Sequence, residues 1–300
     1  KLEAFADRIL QFKDDSLYII NISENVEFLE DTLRNKGVAF PYHVTKTDFG
    51  IAWFNIHGVY FYDGKNVQNL LEKNSQKLIN ETDWEAFVTD GEDGSSDDSD
   101  MSSAHIGFIP KKRQLLIKNE NTDVLLYDFV LGSWSKGKSK ITVNGSTPAM
   151  TNFAINDSSE LFYITNTDSD IATWSDSKGT TTNFEYTTKD IDFEEPGVRK
   201  KIYKVYVTYS SETASNVEVK YAVDGNTTFN KVFKDGTNFT SNKLIATSNT
   251  NWNQAILVPN SSSESNNIYS FALKFLANGT VPNDFRINDI TIIYRIKGVR

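Results

Sequence analysis

Apolar and polar residues alternate in blocks through the first 187 positions, and one arrangement of blocks recurs. Each copy has an apolar run, a short polar turn and a second apolar run, which is typical of a β-hairpin. Runs that are apolar at every position indicate strands covered on both faces. Four segments share the arrangement: residues 8–21, 50–63, 114–128 and 160–174.

The spacing of these hairpins predicts a repeat architecture. Their turns are 43, 63 and 47 residues apart and lie near Asp14, His57, Glu120 and Thr167. Without an acidic insertion of roughly 15 residues, the middle spacing falls to about 48, and a period of about 40–50 residues with a central hairpin is the signature of a propeller blade. We therefore expect residues 1–187 to form a propeller-like β-domain, a part of a longer chain because it begins at Lys1 within a strand pattern. Three tryptophans should fill the space between blades: Trp53, Trp134 and Trp174.

Two connections within this region have helical periodicity. Residues 24–36 place Val26, Leu29 and Leu33 on one face. Residues 66–85 carry large apolar residues at comparable spacing. The sequence predicts a helix packed on the rim of the β-structure in each place.

A second β-domain is predicted over residues 188–300. Residues 201–209 alternate, with one face formed by Tyr203, Val205, Val207 and Tyr209. Further short strands separated by turn residues follow as far as residue 296. This pattern favours an antiparallel β-sandwich, of jelly-roll or fibronectin-like type, and the fold class predicted for the whole chain is all-β.

The composition indicates a folded chain and excludes several kinds of site and function. The chain is 39% hydrophobic and 13% aromatic, which is too rich in large apolar residues for a disordered protein. It has no cysteine, so disulfides, thiolate metal sites and cysteine nucleophiles are excluded. No apolar run is long enough to span a membrane. A net charge of −9 does not provide the basic surface that duplex DNA binding requires.

Candidate catalytic or ligand-binding residues are sparse. The three histidines, His43, His57 and His105, match no metal or triad spacing, and we expect structural or exposed roles for them. Alternating oxygen ligands in residues 166–170 suit Ca²⁺, but a hairpin turn explains them better. The acidic segment 90–100 is expected to be an exposed loop. The sequence therefore predicts no enzyme activity, no cofactor and no metal site.

Two basic groups are the candidate interaction residues. One lies at the domain junction and the other at the end of the chain, and both could contact the acidic surface of a neighbouring subunit. The candidate interface residues are Arg199, Lys200, Lys201, Arg295, Lys297 and Arg300.

Three stretches resemble structural proteins of tailed phages, of the marine, short-tailed type. They are residues 5–21, residues 37–53 leading to 62–65, and residues 189–203. The resemblance is to proteins of the neck or tail nozzle, which carry a propeller and an added β-domain. It implies a non-enzymatic virion protein that is assembled in the host cytoplasm and forms a homo-oligomeric ring with other tail proteins. DNA would pass through such a conduit without specific binding.

Two other functions remain open at this stage. A receptor- or glycan-binding module, such as an adhesin or a tail-spike part, would have the same β-rich composition. A propeller glycosidase is the third possibility, because 40 Asp and Glu residues could supply a catalytic pair.

Overall fold

The chain folds as two compact units, Lys1–Ser175 and Asp176–Arg300. The computed structural model describes residues 1–89, 101–119, 123–137, 152–164, 171–174, 181–211, 215–245, 251–281 and 285–298. Within these ranges the chain is almost entirely antiparallel β-structure. The predicted fold class is confirmed, since propeller-like sheets are followed by an antiparallel sandwich.

The first unit contains meandering sheets in which strands pair in chain order. The first sheet comprises β1 (Leu2–Phe5), β2 (Arg8–Phe12), β3 (Ser16–Asn21) and β4 (Phe28–Arg34). The second comprises β5 (Val44–Lys46), β6 (Ile51–Asn55), β7 (Gly58–Tyr62) and β8 (Val67–Asn69). A small hairpin of β9 (Glu72–Lys73) and β10 (Gln76–Lys77) then leads to helix α1 (Glu81–Val88).

The third and fourth sheets continue the meander. The third comprises β11 (His105–Ile109), β12 (Gln114–Lys118), β13 (Val124–Asp128) and β14 (Ser133–Gly137). The described part of the fourth comprises β15 (Ala154–Ile155), β16 (Leu161–Ile164) and β17 (Ile171–Thr173). Short 3₁₀ turns at Pro41–His43 and Pro110–Lys112 precede β5 and β12. The four predicted hairpins are confirmed as β2–β3, β6–β7, β12–β13 and β16–β17.

Consecutive sheets pack face to face, which is the arrangement of propeller blades. Alternate residues of β6 face opposite ways: Ile51 and Trp53 pack on the first sheet, whereas Ala52 and Phe54 belong to the core shared with the third. A third cluster joins β12 and β13 to Leu161 of the fourth sheet. Every residue of β6 and β7 is buried. This double burial explains why their sequences are apolar without alternation.

Both predicted helices need correction. Residues 28–34 form β4, which pairs with β3, and Val26 and Leu29 are exposed at 73% and 55%. The pairing that completes the blade outweighs the helical spacing. In the second segment, residues 67–77 contribute short strands, and the helix begins only at Glu81. Asn80 caps it by accepting a hydrogen bond from the Asp83 amide at 2.8 Å.

The predicted tryptophan anchors differ in burial. Trp53 is fully buried, as predicted. Trp134 is half-buried and donates its indole N–H to the Leu70 carbonyl oxygen at 2.8 Å. Trp174 is half-buried against the fourth sheet. The acidic segment 90–100 and the turn 166–170 lie outside the described residues.

The second unit is a sandwich of two sheets. Its strands are β18 (Thr181–Thr187), β19 (Lys200–Ser210), β20 (Glu218–Val223), β21 (Phe233–Lys234), β22 (Phe239–Thr240), β23 (Lys243–Leu244), β24 (Asn253–Pro259), β25 (Asn266–Ile268), β26 (Phe271–Val281) and β27 (Arg286–Ile296). One sheet has the order β18-β26-β20-β23-β22. In the other, β19 pairs with β24 and β25, β24 also pairs with β21, and β27 runs along β19.

This strand order decides between the two sandwich types. Strands β18 to β21 alternate between the sheets, and β26 returns between β18 and β20. That order is a jelly roll, to which β27 is added beside β19. Because β18 pairs with β26, it belongs to the second unit. The boundary predicted at residues 187/188 is therefore too late, since the junction-like turn at 192–198 interrupts the jelly roll after its first strand.

The sandwich core corrects the predicted inner face of β19. Val205, Val207 and Tyr209 are fully buried between the sheets, as expected. Tyr203 is exposed instead, because a bulge shifts the register between Ile202 and Lys204. A bulge inserts one extra residue, so Ile202 takes the inward position and Tyr203 points to solvent.

Candidate interface at the edge of the jelly roll

The antiparallel pairing of β19 with β27 brings the two predicted basic groups together. Lys201 lies opposite Arg295, and Lys200 lies opposite Ile296. The pairing continues past the strand, because the Lys297 amide donates to the Arg199 carbonyl oxygen at 2.8 Å. Residues that are distant in sequence therefore share one end of a sheet. Arg300 lies outside the described residues.

Lys200 is the exception within the predicted group. Its side chain is fully buried, and its ammonium donates to the carbonyl oxygens of Glu195 and Tyr269, the second at 2.9 Å. These bonds tie the turn before β19 to the segment after β25. Lys200 is therefore a structural residue of the jelly roll, and its assignment to an interface was wrong.

Three of the remaining basic residues are held by aromatic rings rather than by carboxylates. The Arg199 guanidinium stacks 5.1 Å from the Tyr269 ring centroid, and its Nε donates to the Tyr269 hydroxyl at 3.2 Å. Lys201 and Arg295 both lie over the Tyr203 ring, at 5.0 and 6.0 Å. The bulge that exposes Tyr203 is thus what creates the platform for the two cations. Cation–ring contacts hold the charges in place without neutralising them.

Lys297 completes the basic surface. Its Nζ donates to the Asn267 side-chain oxygen at 2.6 Å, a neutral partner. Among the described residues, no carboxylate pairs with Arg199, Lys201, Arg295 or Lys297. The side chains keep a net positive charge that a partner could neutralise.

The strand that carries Arg295 is itself incompletely covered. Within the described part of the chain, β27 pairs with β19 alone, so its other edge has free backbone donors and acceptors. Three apolar residues on it are exposed by about two-fifths: Ile293, Tyr294 and Ile296. Together with Arg199, Lys201, Arg295 and Lys297 they form what we term the basic edge. Long edge strands with exposed apolar side chains invite pairing with another chain.

Two of the three histidines, His43 and His105, have structural roles in the first unit, whereas His57 is exposed. His43 is fully buried, with its ring 4.2 Å from that of Phe54 and its Nε2 3.1 Å from the Met101 carbonyl oxygen. Tyr42 stacks on His105 at 4.6 Å. The cluster attaches the segment before β11 to the second sheet. Among the described residues, no group of His, Asp and Glu comes together to hold a metal ion.

Burial of His43 makes a testable contribution to stability. Burial lowers the pKa of His43 to about 4, from 6.5. The unfolded chain therefore binds the proton more readily than the folded one, and stability present above pH 6.5 is lost as the pH falls toward 4. We expect His43 to contribute a loss of about 3 kcal/mol across this interval.

Urea unfolding as a function of pH measures this effect. His43→Gln keeps a donor for the Met101 carbonyl but cannot titrate, so its stability should fall less between pH 6.5 and 4. His57→Gln, at an exposed turn position, serves as the control. Identical pH profiles for wild type and His43→Gln would contradict this role for His43.

A second exposed strand edge lies in the segment that the sequence pattern predicted as a helix. Val26, Phe28 and Leu29 are all exposed around β4, and the same segment is rich in carboxylates. An acidic stretch whose apolar residues do not reach a core could have signalled a surface for a partner.

Comparisons with known proteins add little to this picture. No family model matches the chain, and no curated protein matches it. The N-terminal domain of Nup159 is similar over 92% of this chain and 75% of its own, with 10% identity and a TM-score of 0.28. A glycoside hydrolase family 43 arabinoxylan arabinofuranohydrolase from Bacillus subtilis is similar over 98% and 95%, with 8% identity and a TM-score of 0.22. Similarities of this size carry no argument about function. Among the described helices, none has the length and apolarity needed to cross a membrane.

Proposed function

We propose that this chain is a non-enzymatic structural protein of a tailed-phage particle, a subunit of a homo-oligomeric ring in the tail or nozzle. The observation that carries the proposal is the basic edge: β27 is paired on one side, and unneutralised cations lie next to exposed Ile293 and Ile296. An unpaired strand edge with exposed apolar side chains is a typical binding surface for another protein chain.

Two further features support a structural role. The residues that resemble tail proteins form β2 and β3, β5 and β6, and the beginning of β19, which are framework strands. The net charge of −9 suits a wall along which DNA moves without adhering. The proposed partners are other copies of the chain and further tail proteins, and the proposed location is the virion tail.

Composition of purified particles tests this function. We expect the chain to be present in virions at a fixed small copy number, and antibodies against it to label the tail. Antibodies against the major capsid protein provide the control, since they should label only the head. A chain that is absent from purified particles would overturn the proposal.

A glycan-binding module is the second candidate, because the outer face of the other sheet offers a small cleft. Lys220 of β20 lies opposite Lys274 of β26, and Phe229 lies beside Lys274, its ring 5.9 Å from the ammonium. A half-buried ring with polar neighbours at the surface of a cleft can stack on a sugar. Binding on a glycan array that is lost in Phe229→Ala would favour this function.

A further inference from the structure

The described part of the first unit has a second strand edge that, like the basic edge, is unpaired and has exposed apolar residues, but its charge is negative. Strand β4 is the last strand of the first sheet and pairs with β3 alone in the described chain. We define the acidic edge as residues 22–34. Its exposed apolar residues are Ile22, Val26, Phe28 and Leu29, with exposures of 37%, 73%, 47% and 55%.

The carboxylates of this edge are available to a partner to different degrees. Glu30 is already paired with Arg8 and accepts a hydrogen bond from Asn21. Glu24 and Glu27 are exposed, and no described cation forms an ion pair with either. The acidic edge therefore has unneutralised negative charge beside exposed apolar side chains.

We propose that the acidic edge of one copy docks on the basic edge of the next copy. The two edges are opposite in charge, and both have exposed apolar side chains. Glu24 and Glu27 would pair with Lys201 and Arg295, while Phe28 and Leu29 would pack on Ile293 and Ile296. Both strands have a free backbone edge, and β4 with seven residues is shorter than β27 with eleven. This proposal names the partner of the surface in the proposed function and rests on it.

Charge also indicates the symmetry of the contact. A two-fold pairing of basic edges would place Arg295 of one copy near the cations of the other copy, and a pairing of acidic edges would bring carboxylates of two copies together. The proposed contact joins two different surfaces, each used with a different neighbouring copy, and is therefore heterologous. Heterologous contacts generate closed rings when the rotation closes, and filaments when it does not.

Charge-reversed variants test the contact in the full chain. The basic-edge variant is Lys201→Glu with Arg295→Glu, and the acidic-edge variant is Glu24→Lys with Glu27→Lys. We expect each alone to require at least about tenfold higher concentration than wild type to assemble. The control, Lys46→Glu with Lys65→Glu, changes net charge as much as the basic-edge variant at exposed positions and should assemble like wild type.

Mixing makes the test specific for a contact between opposite edges. In an equimolar mixture, each edge of one variant meets a complementary edge of the other, so assembly should return to within about threefold of wild type. A chain with all four reversals should assemble as well. Unchanged urea midpoints must first show that every variant is folded.

The outcomes separate this proposal from the function on which it rests. If wild type assembles but the edge variants assemble equally well, the contact between edges is wrong and ring formation stands. The same conclusion follows if the variants fail and the mixture does not recover. If wild type stays monomeric at every concentration while the chain is also absent from virions, the proposed function fails.

Discussion

Replacing Lys200 by glutamate is expected to lower the free energy of unfolding of the jelly roll by about 3–5 kcal/mol. The wild-type ammonium is fully buried and donates to the carbonyl oxygens of Glu195 and Tyr269. A carboxylate in its place would be buried and would face two acceptors. Its desolvation would have no compensating bond.

Lys201→Glu is the matched control for this prediction. The neighbouring residue carries the same charge but is half-buried over the Tyr203 ring, so we expect a change within about 0.5 kcal/mol. Urea unfolding followed by circular dichroism measures both variants. Equal destabilisation would mean that burial does not distinguish these two lysines. Reversing Arg199, Lys200 and Lys201 together would include this destabilisation, so the charge-reversed variants leave Lys200 unchanged.

Trp53→Ala is expected to destabilise the first unit by about 3–5 kcal/mol. Trp53 is fully buried between the first two sheets, with its ring 5.2 Å from Phe12 and 5.7 Å from Tyr60. Its indole N–H donates to the Lys36 carbonyl oxygen at 2.9 Å. The substitution would remove this bond and leave a cavity where two sheets meet.

Trp252→Ala is the control for that substitution, because Trp252 is 50% exposed. Its effect on the urea midpoint should be small. If Trp53→Ala were as stable as Trp252→Ala, the sheets would not be held together by the core that contains Trp53. The packing of consecutive sheets as blades would then be in doubt.

The hairpins could be predicted because their signal is local. In β6 and β7, consecutive apolar residues fall on both faces of a buried strand, and the short polar turn fixes the pairing of Asn55 with Gly58. The choice of a jelly roll could not be predicted in this way. It depends on β26 returning between β18 and β20, a relation that no local pattern expresses.

The candidate site was predictable only in part. Clustered charge identified Arg199 and Lys201, and the pairing with β27 brings them to Arg295. The burial of Lys200 depends on the carbonyl of Tyr269, which is distant in sequence. Exposure of Tyr203 depends on a bulge that the alternating pattern conceals.

The acidic edge was hidden by an ambiguous pattern. Val26, Leu29 and Leu33 satisfy helical spacing, but only Leu33 packs against a core. In an edge strand with exposed apolar residues, spacing does not report burial. Pairing with β3 determines the structure there.

The mass of the purified chain in solution tests the central claim, that this protein acts by assembling with itself. Native mass spectrometry across concentration and salt should show a closed oligomer of the 33.9 kDa chain. Because the proposed contact combines opposite charges, the oligomer should dissociate as ionic strength rises. A single mass of one chain at every concentration and at low salt would contradict the account.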